Sequence, residues 1–462
     1  MSLIAIVLAA GQGTRMKSDL PKVLHMAAGR TLLDWALQAI RGLDPDRIVV
    51  VIGHEAERVA RTLPEWAEPV IQERQLGTGH AVTVALAALD GVTEGDAILI
   101  AYGDMPLVTS ELFKAAVAAR LGKAASMVTF ENEDPTGYGR IVRGEAGAFD
   151  KVVEEKDASP EQRGITEVNA GIYAFSGAAL RSALAKVATD NAQGEYYLPD
   201  VLSILIRAGG QVATVSADPM EVSGVNSQDQ LAEADAELRR RINRSWQQKG
   251  VWMQDPDRVY IEDSVELSSG VRLYPGVHLE GVTRVAEGAV IGPDAFVVDS
   301  TIGSGARVWY SVLRSAQVGE GAEVGPYASL RPGTVLAPRS KAGTFVEIKN
   351  SSLGEGAKVP HLSYIGDAQI GARANIGAGS ITCNYDGYEK HQTVIGEGAF
   401  IGSDTMLVAP VVVGAGAFTG AGSVITRDVE AGALGVERSH QEEIPGYAAR
   451  REERHRAKAS EH

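Results

Sequence analysis

The sequence predicts two architectures in one chain: an α/β domain with a mostly parallel sheet, then a parallel β-helix of hexapeptide repeats. Three observations carry that reading. Short apolar strands alternate with helical stretches as far as about Val225. Aliphatic residues recur at every sixth position from Ile261 onward. Between the two patterns lies one long polar stretch with helical periodicity.

The chain has 462 residues, enough for two or three domains that each bury a core. Hydrophobic residues at 45% and charged residues at 22% are ordinary for a globular protein. Of the 52 glycines, 30 lie in the second half, without the three-residue period of collagen. A net charge of −15 argues against a general nucleic-acid binder, although phosphate ligands need only a local cluster of donors. A single cysteine, Cys383, excludes an internal disulfide framework and a cysteine-based zinc site. No apolar segment approaches the roughly 18 to 20 residues that span a membrane. The opening "MSLIAIVLAAG" lacks a basic leader and reads as a first core strand rather than a signal peptide. Cytoplasmic residence is expected, with neither membrane nor nucleic acid as partner.

In the first domain, Ile4–Ala9, Ile48–Ile52 and Ala97–Ala101 are expected strands, and Leu32–Ile40 and His80–Leu89 are expected helices. Such alternation puts helices on both faces of a parallel sheet, with ligands outside the carboxyl ends of the strands. "AGQGT" and "YGD" each follow an apolar strand directly, so both should open onto one cleft. The domain is expected over 1–226. A linker helix over 227–250 follows, with Ser227 and Gln230 as a capping box and Gly250 as its stop. Leu231, Leu238, Ile242 and Trp246 form its apolar stripe, and acids lead while bases follow, as the helix dipole favours.

The second domain is expected over 251–443. Ile261, Leu267, Leu273, Leu279, Val285, Ile291 and Val297 keep the period of six, and the phase returns at Val318, Val324 and Leu330, then at Ile395, Ile401, Leu407 and Val413. Each aliphatic residue should point into the prism while small neighbours turn the corner. The insertion "TCNYDGYEKHQT", Thr382 to Thr393, breaks the phase, and a loop leaving a regular solenoid is usually functional or an assembly contact. The charged tail over 444–462 is expected to be disordered at its end.

Three phosphate loops compete for "GQGTRMKSDLPK". The P-loop pattern is absent. A dinucleotide fingerprint fails at its third glycine, where Met16 stands. The stretch matches in full the loop of sugar-nucleotide pyrophosphorylases, G-x-G-T-R-M followed by P-K. Its glycines would let backbone N–H groups approach a triphosphate, and Arg15 and Lys22 would neutralise charge as pyrophosphate leaves. Asp104, a carboxylate at a strand end beside that loop, suits Mg2+.

The chain resembles the bifunctional N-acetylglucosamine-1-phosphate uridyltransferase/glucosamine-1-phosphate acetyltransferase family of bacterial cell-wall precursor synthesis. The matching segments are "LAAGQGTRM", "LPKVLH", "QLGTGHAV", "YGDMPL", "GYGRI", "NAGIYAF", "NAQGEYYLPD" and "GVNS". The resemblance implies a Rossmann-like nucleotidyltransferase domain followed by a left-handed coil. It also implies that Leu8, Ala9, Ala10 and Gly11 line the nucleotide, with Tyr102 and Gly103 beside them. Gln72, Gly77 and Thr78 would help to read uracil. Gly139, Glu154 and Asn169 would hold the amino sugar, and Asp104 and Asn226 would bind Mg2+. Gln12 departs from the family, which often has Lys there. The implied reaction is in-line attack of the sugar-phosphate oxygen on the α-phosphorus of UTP. That nucleophile is already an anion, so positioning and charge neutralisation should suffice.

Acetyl transfer to an amine needs a base, and histidine is suited to it at neutral pH. "HLSYIGDA", "ANIGAG", "ITCNYDG" and "IGSDT" resemble the acetyltransferase half of the same family. By that resemblance His361 is the base, and Arg331, Lys349, Tyr364 and Asn375 grip the sugar phosphate. Ala378, Asn384, Tyr385, Ser403, Ala421 and Arg438 would line the acetyl-CoA site, with Ser403 or nearby backbone N–H groups facing the oxyanion. Pro360 stands where relatives more often have a small residue. Cys383 invites an acyl-enzyme reading, but a small buried thiol is the better expectation. Family members trimerise through the coil faces, so a homotrimer is expected. The alternative is a single-activity sugar-1-phosphate nucleotidyltransferase with a structural β-helix. His361, Lys349, Asn384 and Tyr385 discriminate, because a structural coil would not need them.

Overall fold

The computed structural model describes residues 2–93 and 95–459. The last three residues of the predicted disordered tail therefore lie outside the described residues. The chain divides into two compact units, Met1–Ile242 and Asn243–His462.

The first unit is built on a sheet whose main path runs Val212–Ser216, Ala125–Glu131, Glu167–Ser176, Ala97–Tyr102, Leu3–Ala9, Arg47–Ile52, Ala67–Ile71. Leu3–Ala9 pairs in parallel with both neighbours, and only Glu167–Ser176 runs antiparallel along this path. The period-two pattern of the first strand sends Ile4, Ile6 and Leu8 into one core and Ala5, Val7 and Ala9 into the other. The helix Leu32–Arg41 starts where the Thr31 hydroxyl accepts from the Asp34 N–H, and it buries Leu33, Ala36, Leu37 and Ile40 along one face. Successive connections leave the first strand in opposite directions, to Arg47–Ile52 on one side and Ala97–Tyr102 on the other. Residues just past Ala9 and Tyr102 thus face the crevice where an open α/β sheet takes its ligand.

The expected linker helix spans Gln228–Gln248, and the division between units falls inside it. Ala234, Leu238 and Ile242 are buried. Its start differs from the expected capping box: the Gln230 carboxamide accepts from the N–H of Asn226 at 2.8 Å, one residue upstream of Ser227. Asn226 is thereby held against the sheet crevice.

In the second unit, three parallel sheets of 11, 10 and 9 strands form the walls of a prism. Every aliphatic position of the six-residue phase is buried. Where the phase slips, the spacing falls to five, from Val297 to Ile302 and from Val308 to Leu313 to Val318. One corner residue is missing there, but the inward register continues, with Val297 beside Leu313 and Leu313 beside Leu330. Thr382 takes an inward position at the root of the inserted loop, its hydroxyl accepting from the Gly366 N–H at 2.7 Å and donating to the Gly366 carbonyl at 3.0 Å. A buried hydroxyl bonded in this way costs little. The tail forms a helix over Tyr447–Ala459, with no buried residue, where disorder was expected toward the chain end. Its Ala, Arg, Glu and Lys are strong helix formers, and Arg456 pairs with Glu452 at one-turn spacing.

Candidate active sites

The glycine turn after Leu3–Ala9 folds as the sequence requires. Gly13 has φ +64°, and a Cβ there would stand 2.5 Å from the Lys22 Cβ. Only glycine lets the loop close onto the lysine. The single turn Thr14–Met16 then carries Arg15, and Lys22–Leu24 begins at the lysine.

Lys22 is the centre of the site. Its ammonium donates to an oxygen of Asp104 and, at 2.9 Å, to Oδ1 of Asn226. The two oxygens assigned to a cation from sequence therefore converge on one cation in the structure. Asn226 is fixed by its Nδ2 donating to the Gly224 carbonyl at 3.0 Å, and the Val225 N–H donates to the Asp104 carbonyl. Among the described residues no group of three or more His, Cys, Asp or Glu side chains could hold a metal. A carboxylate and an amide oxygen without further protein donors fit a hard cation whose other ligands come from water and substrate.

Two cavities meet at Tyr102 and Asp104. One, of about 290 Å³, is lined by Leu8, Ala9, Ala10, Gly11, Lys22, Gln72, Gly77 and Thr78, every residue predicted for the nucleotide except Gly103. Gly103 lines neither cavity; a Cβ there would stand 2.8 Å from Leu33 Cδ1, so it serves packing at the strand end. Gln72 is buried, its Nε2 donating to the Gly77 carbonyl and lying 3.0 Å from His80 Nδ1.

The other cavity, of about 280 Å³, is lined by Arg15, Gly139, Glu154, Asn169 and Asn226 among others. Asn169 is aimed by a bulge in Glu167–Ser176, where register shifts between Asn169 and Tyr173. Its Nδ2 donates to the Tyr173 hydroxyl at 2.6 Å, and its Oδ1 accepts from the Gly171 N–H. Gly171 has φ +77°, and a Cβ there would strike the Tyr102 ring at 2.1 Å, so this glycine makes room for Tyr102 between the cavities. Burial, reinforced by Asp200 and Asp157, pushes the Glu154 carboxyl up to about 7, with Arg140 opposing. Sequence reasoning missed Thr136, Tyr138 and Glu195 as lining residues. Tyr138 and Glu195 stand inside the recognised segments "GYGRI" and "NAQGEYYLPD", which was the available signal.

On the coil, His361 ends the strand Lys358–His361 and is exposed. Its ring nitrogens make no hydrogen bond among the described residues, while its carbonyl accepts from Ser363 Oγ at 2.8 Å. Pro360 is accommodated in the ladder, with Thr344 in register with His361. Around the next corner, Arg331 and Lys349 lie on successive rungs, and Arg331 donates to Glu347 at 2.8 Å. Asp367 accepts from Asn350 at 2.6 Å and from Asn384 of the inserted loop. Burial raises its pKa, but those two donors and Lys349 outweigh that and leave it below the usual carboxylate range. Sequence reasoning missed Lys390. It lies against Lys349, whose close like charge holds the Lys390 ammonium below its ordinary range, while Asp367 and Tyr364 oppose. Two ammonium groups pressed together suit an anionic ligand.

Ala378, Ser403, Ala421 and Arg438 stack along one corner. The Asp404 N–H donates to the Ala378 carbonyl at 2.7 Å, the Gly422 N–H to Ser403 at 2.8 Å, and Arg438 Nη1 to Ala421 at 2.9 Å. The His361 carbonyl accepts from Gly379 on the same ladder. Asn375 lies on the rung above Lys358, and Tyr385 is exposed on the inserted loop. Cys383 is half-buried, and burial pushes its thiol up, away from a nucleophilic thiolate.

A family model described as a MobA-like NTP transferase domain matches residues 5–199. Another, described as bacterial transferase hexapeptide (six repeats), matches residues 392–427. The chain is 50% identical to a bifunctional protein GlmU from Streptomyces coelicolor, over 96% of this chain and 94% of the relative. A bifunctional protein GlmU from Kineococcus radiotolerans is 48% identical over 96% of this chain and 91% of its own. One from Desulfitobacterium hafniense is 46% identical over 96% and 98%. With both halves matched at this identity, the chain belongs to the bifunctional GlmU family and is an enzyme with uridyltransferase and acetyltransferase activities.

Proposed function

We propose that the paired cavities carry uridylyl transfer, that the surface around His361 carries acetyl transfer, and that acetylation of glucosamine-1-phosphate comes first. The observation that carries the first assignment is the convergence of Asp104 and Asn226 on the Lys22 ammonium where the cavities meet. UTP occupies the cavity of Leu8–Gly11, Gln72, Gly77 and Thr78, and N-acetylglucosamine-1-phosphate the cavity of Gly139, Glu154 and Asn169. An oxygen of the sugar phosphate forms a bond to the α-phosphorus, the bond to the β-phosphate breaks, and pyrophosphate leaves. Arg15 and Lys22 neutralise the charge that accumulates on the leaving group. Asp104 and Asn226 would hold Mg2+, which when bound neutralises charge on the triphosphate.

At the coil, the unpartnered His361 ring takes a proton from the glucosamine-1-phosphate ammonium. The amine attacks the acetyl thioester, the nitrogen releases its second proton to water, the C–S bond breaks, and the CoA thiolate recovers the first proton from His361. Lys349, Lys390, Arg331, Tyr364 and Asn375 hold the sugar phosphate, and the ladder from Ala378 to Arg438, with Asn384 and Tyr385, holds acetyl-CoA. The uridyltransferase spans 1–226, the helix over 227–250 joins it to the coil, and the acetyltransferase spans 251–443.

A homotrimer belongs to the same reading. Tyr327, Phe345 and Leu362 are 56%, 57% and 62% exposed in successive rungs at the corner beside His361. Each has a positive φ, so large apolar side chains stand on strained backbone facing outward, as a neighbouring copy would require. No helix among the described residues is long and apolar enough to cross a membrane. Cytoplasmic residence is proposed with the rest, since a single cysteine calls for no oxidising compartment. Both half-reactions should be assayed in two variants. Asp104→Ala should lose uridylyl transfer alone and His361→Ala acetyl transfer alone; retention of the expected lost activity overturns that assignment.

A further inference from the structure

The inserted loop leaves the coil between Cys383 and Thr393, yet it is tied to itself at every turn. His391 Nε2 lies 2.7 Å from Asp386 Oδ2. The other oxygen of Asp386 accepts from the N–H groups of Tyr388 at 2.8 Å and Glu389 at 2.7 Å. The His391 N–H donates to the Asn384 carbonyl at 2.8 Å, the Tyr385 hydroxyl donates to the Gly387 carbonyl at 2.7 Å, and Tyr385 bridges Lys390. The backbone donors and then His391 hold the Asp386 carboxyl well below the usual range, so it stays ionised through the working pH range.

We propose that Asp386 and His391 form a clasp that positions the inserted loop for acetyl transfer, setting Asn384 against Asp367 and Lys390 against Lys349. Neither clasp residue is assigned a contact with substrate. The clasp closes a chain segment whose two ends both reach the anion-binding cluster: Asn384 precedes Asp386 by two residues, and Lys390 adjoins His391. Without the side-chain bond the loop keeps its sequence but gains conformational freedom, and ordering it again is a cost taken from substrate binding. The inference rests on the reading that this surface is the acetyl-transfer site.

His391→Ala should raise KM for glucosamine-1-phosphate about five- to tenfold, with kcat changed less than about twofold. His391→Gln, whose amide can still donate to Asp386, should return KM to within about twofold of the parent. Uridylyl transfer should be unchanged in both. In the full-length enzyme, trypsin should cut after Lys390 faster in His391→Ala than in the parent. An unchanged KM in His391→Ala, a loss confined to kcat, or no rescue by Gln overturns the clasp. Acetyl transfer surviving in His361→Ala removes the underlying site reading. Loss in His361→Ala with an unmoved KM in His391→Ala rejects the clasp alone.

Discussion

Glu154 is a carboxyl among carboxyls in the cavity proposed for the sugar, and its pKa near 7 has a direct consequence. Folding raises this pKa above its ordinary value, so the group favours the fold most when protonated. That contribution is lost as pH rises through about 7. Ionised Glu154 would also repel an incoming sugar phosphate. KM for N-acetylglucosamine-1-phosphate should therefore climb as pH rises from 6 to about 8, and Glu154→Gln should flatten the dependence. A parent profile that is flat in KM over this range counts against the assignment. Cys383 makes the opposite point. Its thiol is raised by burial, and transfer to the amine can be direct, so Cys383→Ser should keep most acetyl transfer. An acetyl-cysteine adduct in mass spectrometry would reverse that conclusion. Lys22 was legible as a basic residue near phosphates, because its motif is contiguous. That it rests on Asp104 and Asn226, 82 and 204 residues away, was not, since no local pattern encodes the meeting.

At the scale of the element, the coil was the most legible part of the chain. A period of six has one structural meaning, and each counted aliphatic residue is inside. The slips were readable as slips but not as corners shortened by one residue, because side-chain period says nothing of turn length. Leu313 lies in such a stretch and is completely buried. Leu313→Ala should cost about 2–5 kcal/mol, through lost transfer energy and the cavity left behind. Urea unfolding of the full chain should show a transition moved to lower concentration, with uridylyl transfer intact in native buffer. A midpoint equal to the parent's would mean that the prism is not close-packed there. The bulge at Asn169 and the shifted cap at Gln230 lay beyond sequence reasoning for one reason. Each depends on a partner strand or turn, Ala125–Glu131 in one case and the segment 224–226 in the other.

At the scale of the whole molecule, the exposed corner of Tyr327, Phe345 and Leu362 bears on assembly. Light scattering of the active enzyme should report three copies; a stable, active monomer would overturn the proposed homotrimer. The two architectures were legible in the residues alone, and so were the candidates now proposed for each reactive site. Those are local properties: side-chain period, contiguous loop motifs and the residue types that proton and phosphate chemistry demand. Tertiary structure alone decided which residues face one another. It brought Asp104 and Asn226 onto Lys22, turned Gly103 into a packing residue, raised Glu154 by burial beside Asp157 and Asp200, and set Lys390 against Lys349. Burial and through-space charge depend on what the fold brings near, and no stretch of sequence carries that information alone.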